Sequence, residues 1–294
     1  MTAGTLVING KPVNGKPGAA IAAIPAWGFS PGTGFPTVIN TPQFPAPAID
    51  VTEGDTVNVT VYNDHTVDHN FVIQGIPTST AVVPPLSSRT YTFIAKNAGT
   101  YLYYDSLSKG VNREMGLYGA LIVRPKAAPT FTFERTWVVG DMDVVRWNIP
   151  ADTNARLAVP VNPPPVTTTI YKPNYFVING KSGFDAMMES TSTYTSDTTI
   201  EGPVGKSALV RIVNGGQFAQ ALHFHANHVQ VLSKNGVPQP YKLVDVVDVP
   251  PLGTVEVLFE LNQVGKYPMH NHTAQMESAN GAYLGGVATM IIIK

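Results

Sequence analysis

Residues 48–76 read "AIDVTEGDTVNVTVYNDHTVDHNFVIQGI", and residues 203–232 read "PVGKSALVRIVNGGQFAQALHFHANHVQVL". Each stretch is an apolar-rich run, a polar turn that starts at an asparagine, and a second such run, the pattern of two strands around a turn. An offset of 151 lays Asn63 on Asn214, and Val72 and Gln74 on His223 and His225. Further out, "LVINGK" at 6–11 returns as "FVINGK" at 176–181. "AGTYLYYDS" at 98–106 aligns with "VGKYPMHNH" at 264–272 at an offset of 166, and each leads through a glycine-rich turn to a terminal apolar strand. The chain therefore reads as a duplicated all-β unit. The division falls in "RPKAAPT" at 124–130, which gives domains of 1–128 and 129–294. Strand spacing of about 8–12 residues favours sandwiches over a propeller. The Gly/Pro-rich segment 21–50 is predicted to be an irregular loop, and the Pro-rich segment 159–173 an extended one.

At 294 residues each half is long enough to bury a core of its own. The net charge is −1 and only 13% of residues are charged, so neither a nucleic-acid footprint nor a polybasic membrane patch is present. Cysteine is absent, which excludes disulfides, thiolate nucleophiles and iron–sulfur ligation. No apolar run reaches the length of a membrane span, and the first residues show no basic-then-apolar leader pattern.

Five of the seven histidines lie in two short clusters of the second half, "HFHANH" (His223, His225, His228) and "HNH" (His270, His272). Strand side chains alternate, so His223 and His225 share a face with Cα atoms about 6.6 Å apart, and so do His270 and His272. His228 falls on the opposite parity and is expected to point elsewhere unless a bulge intervenes. A lone histidine is usually a surface residue or a satisfied core residue. Two His-x-His pairs at matched positions of a repeat are better explained by a metal, because packing gains nothing from four adjoining imidazoles. An all-imidazole set suits copper, zinc, nickel or iron and disfavours magnesium and calcium.

These motifs resemble the cupredoxin superfamily, specifically the multicopper oxidases and their two-domain relatives. The resemblance covers nearly the whole chain and implies two tandem cupredoxin-like Greek-key β-sandwich domains. In that family the last domain carries His-Pro-x-His-Leu-His-Gly-His and then His-Cys-His, a further His and a Met. His223-Phe224-His225 matches the His-Leu-His pair and His270-Asn271-His272 matches His-Cys-His, so four copper ligands are retained. Asn271 stands at the cysteine of the blue-copper site, Gln220 at its first histidine and Met276 at the later one. The blue-copper relay is therefore not expected. In the first domain, Val72, Gln74, Tyr104 and Ser106 replace the four family histidines, so a full trinuclear cluster is not expected either.

The resemblance implies copper as cofactor, held by His223, His225, His270 and His272, with His225 and His270 as the nucleus. It places Tyr104 and Asp105 on the segment that faces the cluster across a domain interface, which makes them the candidate catalytic residues. It further implies a homotrimer and a periplasmic or secreted location. His69 corresponds to Gln220; the four-residue spacing from His65 permits chelation, but a structural or surface role is the favoured reading. The methionines are too scattered for a copper-transport strip. The function that follows is a copper protein with a type-2-like or incomplete multinuclear site, a redox enzyme acting on an unidentified small-molecule substrate or electron donor. The alternative is copper storage, delivery or sensing without turnover, and a structural protein with relic histidines is the weakest reading.

Overall fold

The computed structural model describes residues 1–11, 16, 18–31, 43–127, 130–143, 171–188 and 197–294. The chain opens with a hairpin, β1 (Thr2–Asn9) against β2 (Ala20–Gly28). Then come β3 (Ala46–Thr52), β4 (Thr56–Asn63), β5 (Val72–Ile73), β6 (Ser87–Ile94) and β7 (Gly99–Tyr104). A single helical turn, α1 (Val111–Glu114), precedes β8 (Tyr118–Arg124). The second half starts with β9 (Phe133–Met142), β10 (Tyr175–Ile178) and a turn of helix, α2 (Gly183–Ala186). It continues through β11 (Ile200–Gly202), β12 (Ser207–Asn214), β13 (Gln220–Phe224) and β14 (Val229–Lys234). Two short strands, β15 (Val237–Pro238) and β16 (Leu243–Val244), flank β14. The remainder is β17 (Val246–Val249), β18 (Thr254–Glu260), β19 (Gly265–Asn271), the hairpin β20 (Ser278–Ala279) with β21 (Ala282–Tyr283), and β22 (Ala288–Ile293).

These strands form two tandem cupredoxin-like β-sandwiches. The first sets the sheet β3-β8-β7-β5 against the pair β4-β6. The second sets β10-β9-β12-β18-β14-β15 against β11-β22-β19-β13-β17. The repeat read from the sequence is reproduced in hydrogen-bond register. Asn58↔Thr92 between β4 and β6 becomes Leu209↔Leu258 between β12 and β18. Val72↔Tyr104 becomes His223↔His270, and the parallel pair Asp50↔Ile122 becomes Glu201↔Ile292. The turn asparagines also match. Asn63 donates to Val67 O and Val83 O and accepts from His65 N, while Asn214 donates to Phe218 O and Val249 O and accepts from Gly216 N. Each asparagine thereby satisfies turn carbonyls that the ladder leaves over.

Alternation along β12 and β18 sends their β-branched residues into a core where Trp137, Phe224 and Phe259 stack in series. Between the sandwiches, Tyr118 packs with Leu102, Val138 and Val213. Gly140 and Gly215 lie so close to the Tyr118 side chain that a Cβ on Gly140 falls 2.2 Å from its hydroxyl and one on Gly215 falls 2.3 Å from its ring. The seam also carries a polar chain: Arg124 bonds Asp50 and Glu134, and Arg211 bonds Glu134, Glu256 and Thr100 Oγ1.

The irregular loop expected over 21–50 is corrected in part. Residues 21–28 belong to β2, and β3 starts at Ala46, because β1 supplies ladder partners for an Ala- and Pro-containing run. Pro25 fits there because a two-stranded ribbon leaves one edge of each strand unpaired. Most of the loop expected at 159–173 lies outside the described residues, as do residues 32–42.

Candidate metal centre

Two neighbouring strands of one sheet place the second-half histidines. Leu222 and Phe224 of β13, and Met269 and Asn271 of β19, turn into the core and are fully buried. Alternation then turns His223, His225, His270 and His272 to the outer face. His223 sits directly opposite His270. The ladder runs past both strand ends through His225 N to Pro268 O at 3.2 Å and His272 N to Ala221 O at 2.7 Å.

The result is a compact donor set. His225 Nε2 and His270 Nε2 are 3.0 Å apart, and one ring nitrogen each from His223, His225 and His270 lie within 4.8 Å of one another. Two imidazoles on one first-row ion, each bonded at about 2.0–2.1 Å, bring their nitrogens to about this separation. The residues present therefore fit an imidazole-bound transition metal. His272 is exposed and stands off, its ring 5.1 Å from that of His223 and 6.2 Å from that of His270. His228 is exposed beyond the turn at Ala226 and shares an open groove with Tyr241 and Glu260.

Two oxygen partners hold the outer nitrogens. Glu277 Oε1 is 2.5 Å from His270 Nδ1, and Asp245 O is 3.2 Å from His223 Nδ1, with the Asp245 carboxylate at 3.9 Å. A proton donated from Nδ1 to either oxygen leaves Nε2 of that ring as the lone-pair atom facing the cluster. We expect Glu277→Gln to weaken metal binding by about 10–100-fold while the fold is retained, because it removes the charged partner but not the shape. Chelator competition measures this, and an unchanged affinity would show that Glu277 is a bystander.

Burial, followed by the neighbouring His223, His270 and His272, holds the His225 imidazole below its ordinary value of 6.5. His225 therefore stays neutral, and available to a metal, to lower pH than an isolated histidine. With the folded value depressed, the unfolded chain takes the proton first. The His225 contribution to stability is complete above pH 6.5 and is lost as the pH falls through the lower folded value. Metal affinity is expected to fall in the same direction, and titration of bound metal from pH 8 to 5 checks it. Affinity that does not change with pH would argue against imidazole ligands.

On the core side of the same strands, Asn271 Nδ2 donates to Gln220 Oε1 at 2.7 Å, and Thr273 N donates to Asn271 Oδ1 at 2.9 Å. Met276 is buried with the core. Two neutral amides satisfy one another where a thiolate–metal site would need soft, anionic donors, so this position does not fit a blue-copper ion.

The first domain supplies no matching donor set among the described residues. Tyr104 takes the strand position of His270, under the Arg113 guanidinium at 5.9 Å and 3.5 Å from Gln74. Asp105 takes the position of Asn271 and points inward. It is fully buried, bonded to His69 at 2.6 Å, and is not brought to the histidine face. His65 and His69 are buried beside it, so of the roles considered for them a surface one is excluded. The sequence reading missed Glu277 and Asp245. A carboxylate seven residues beyond His270 and one just before β17 carried no pattern to find them by, whereas the parity of Asp105 was legible.

Models of the family described as multicopper oxidase match residues 35–128 and 160–283, about three quarters of the chain together. Laccase-9 of Arabidopsis thaliana is 28% identical over 242 residues, covering 77% of this chain and 38% of that protein. L-ascorbate oxidase of Cucumis sativus is 30% identical over 156 residues, covering 49% and 26%. The chain spans less than half the length of these curated relatives. Among solved structures, the blue copper oxidase of Nitrosomonas europaea superposes with a TM-score of 0.78 at 22% identity, over 100% of this chain and 84% of that one. The copper nitrite reductase of the same organism gives 0.70 at 20%, over 93% and 87%. At these identities the two structures establish the fold.

Proposed function

Because this chain belongs to the multicopper oxidase family, whose members bind copper, we propose that it holds copper at His223, His225 and His270, with His272 as a further imidazole. The observation that carries the reading is the 3.0 Å approach of His225 Nε2 to His270 Nε2 within an all-imidazole donor set. Copper bound there supplies Lewis acidity, or a redox couple charged directly by a substrate. The chain's own residues do the rest. Glu277 and Asp245 fix the ring orientations, and the partly exposed sheet face leaves an approach for a small molecule or electron donor.

The division into 1–128 and 129–294 is proposed on the gap between β8 and β9. In the proposed homotrimer, the first domain of one subunit covers the histidine face of the next. Tyr104 then comes close to the copper, with Asp105 behind it as support. The half-buried state of His223, His225 and His270, with His272 exposed beside them, supports this arrangement. A periplasmic or secreted location is proposed from the family. Among the described residues, no helix is long and apolar enough to cross a membrane.

A second reading, copper storage or delivery without turnover, is favoured by the Gln220–Asn271 amide pair, which occupies the place of an electron relay. Metal analysis and EPR of the copper-loaded protein test the common part: stoichiometric copper, a type-2-like signal and no intense blue band are expected. Protein that holds no stoichiometric copper overturns both readings, and steady turnover with a reducing substrate overturns the second.

A further inference from the structure

The second sandwich is open along one side. β16 and β17 are joined by Asp245 alone, yet they belong to opposite sheets: β16 pairs with β14, and β17 with β13. Where the chain crosses between the sheets it leaves a slot of about 390 Å³, within the range of small-molecule sites. The register sets which side chains enter it. Val244 lies opposite the core residue Val229, on the inner side of its sheet. Lys242 O accepts from Val231 N at 3.2 Å, so alternation puts the Lys242 side chain on that same side.

The floor of the slot is apolar. Val231 and Val247 reach it from the core, and Val244 and Val246 extend it toward solvent as half-buried side chains. Its polar chemistry is narrow. Lys234 and Lys242 line it, and Asp248 is the single acid among the lining residues. Among the described residues neither lysine makes an ion pair or a side-chain hydrogen bond. Gln239 directs its amide nitrogen to Val237 O and Pro238 O. The slot thus offers an apolar wall and two ammonium groups with donors unused. A sugar or a peptide would leave its own polar groups unmatched on the valines. An aliphatic chain with one anionic end matches both parts.

The slot also adjoins the histidine face. Val246 sits directly opposite His223, and Asp245 O lies 3.2 Å from His223 Nδ1. An occupant lying along β17 is one strand spacing, about 4.8 Å, from the strand that carries His223. Lysines at a sheet edge also keep other chains from pairing with it, a role that needs charge but no slot. Chain length separates the two roles. Each methylene that enters the slot raises affinity about fourfold, whereas a charged edge alone gives no such dependence.

We propose that the slot binds a linear aliphatic carboxylate, its chain on the valines and its carboxylate at Lys234 and Lys242, as a second ligand beside the metal centre. Its place as a neighbour of copper rests on the copper reading; the binding itself does not.

The test is calorimetric titration of the full chain, apo and copper-loaded, with hexanoate, octanoate and decanoate below their micellar concentrations. One ligand per chain is expected, with affinity rising about fourfold per methylene. Decylammonium is expected to bind at least about tenfold more weakly than decanoate. Lys234→Glu with Lys242→Glu, both at exposed positions, is expected to weaken decanoate at least about tenfold and to leave copper stoichiometry unchanged. The proposal is overturned if decanoate does not bind, or binds no better than hexanoate or decylammonium. Equal affinity of parent and double variant overturns it too. Protein that takes up decanoate but no copper would sink the copper reading and leave the slot in place.

Discussion

His270→Ala is expected to abolish stoichiometric copper binding, a loss beyond the about 10–100-fold that an outer carboxylate contributes. His270 is bonded at both ring nitrogens. Its Nε2 meets His225 at 3.0 Å, its Nδ1 is held by Glu277, and its strand position is pinned opposite His223 and Ala288. Alanine keeps the ladder and removes all of this chemistry, so the fold survives and the metal does not. His272→Ala, at the exposed fourth position, is expected to have a smaller effect. Isothermal titration of apo-protein with Cu(II) reads both, and equal small effects would show that copper is held elsewhere.

Arg211→Met is expected to destabilise the protein by about 3–5 kcal/mol, on the order of 10 °C in Tm. Arg211 is buried at the seam, and its guanidinium serves Glu256, Glu134 and Thr100 together. Methionine fills the volume but leaves two largely buried carboxylates facing each other. Burial alone would raise Glu134, yet hydrogen bonds from Arg124 and Arg211 bring it below its ordinary value of 4.5. That depression is a stabilisation, complete above pH 4.5 and lost as the pH falls through the lower folded value. The Tm difference between parent and Arg211→Met should therefore shrink in acid. A variant that melts within a degree or two of the parent at pH 7 would show that the network contributes little.

The sandwich repeat was legible because strand alternation and the turn asparagines are local signals, and they recur at Asn63 and Asn214. The His-x-His pairs were legible for the same reason: period-two spacing settles which side chains share a face. What escaped depends on contacts distant in sequence. Glu277 reaches His270 only because a helical turn folds back after β19, and β2 exists only because β1 pairs with it. The inward turn of Asp105 was available from parity alone, since neighbours on a strand face opposite ways and Tyr104 faces out. Its partnership with His69 across 36 residues was not.

The cross-strand pairing of His223 with His270 has a consequence for how an ion is gained and lost. Their separation is set by backbone ladder bonds that exist before any ligand arrives. Occupancy then becomes a question of speciation rather than of folding. Removing the ion with a chelator should return an unaltered scaffold, and reloading should need no refolding step. The rings also have little freedom to follow a change in the ion's preferred coordination. The sheet, more than the imidazoles, would then set which oxidation state is favoured.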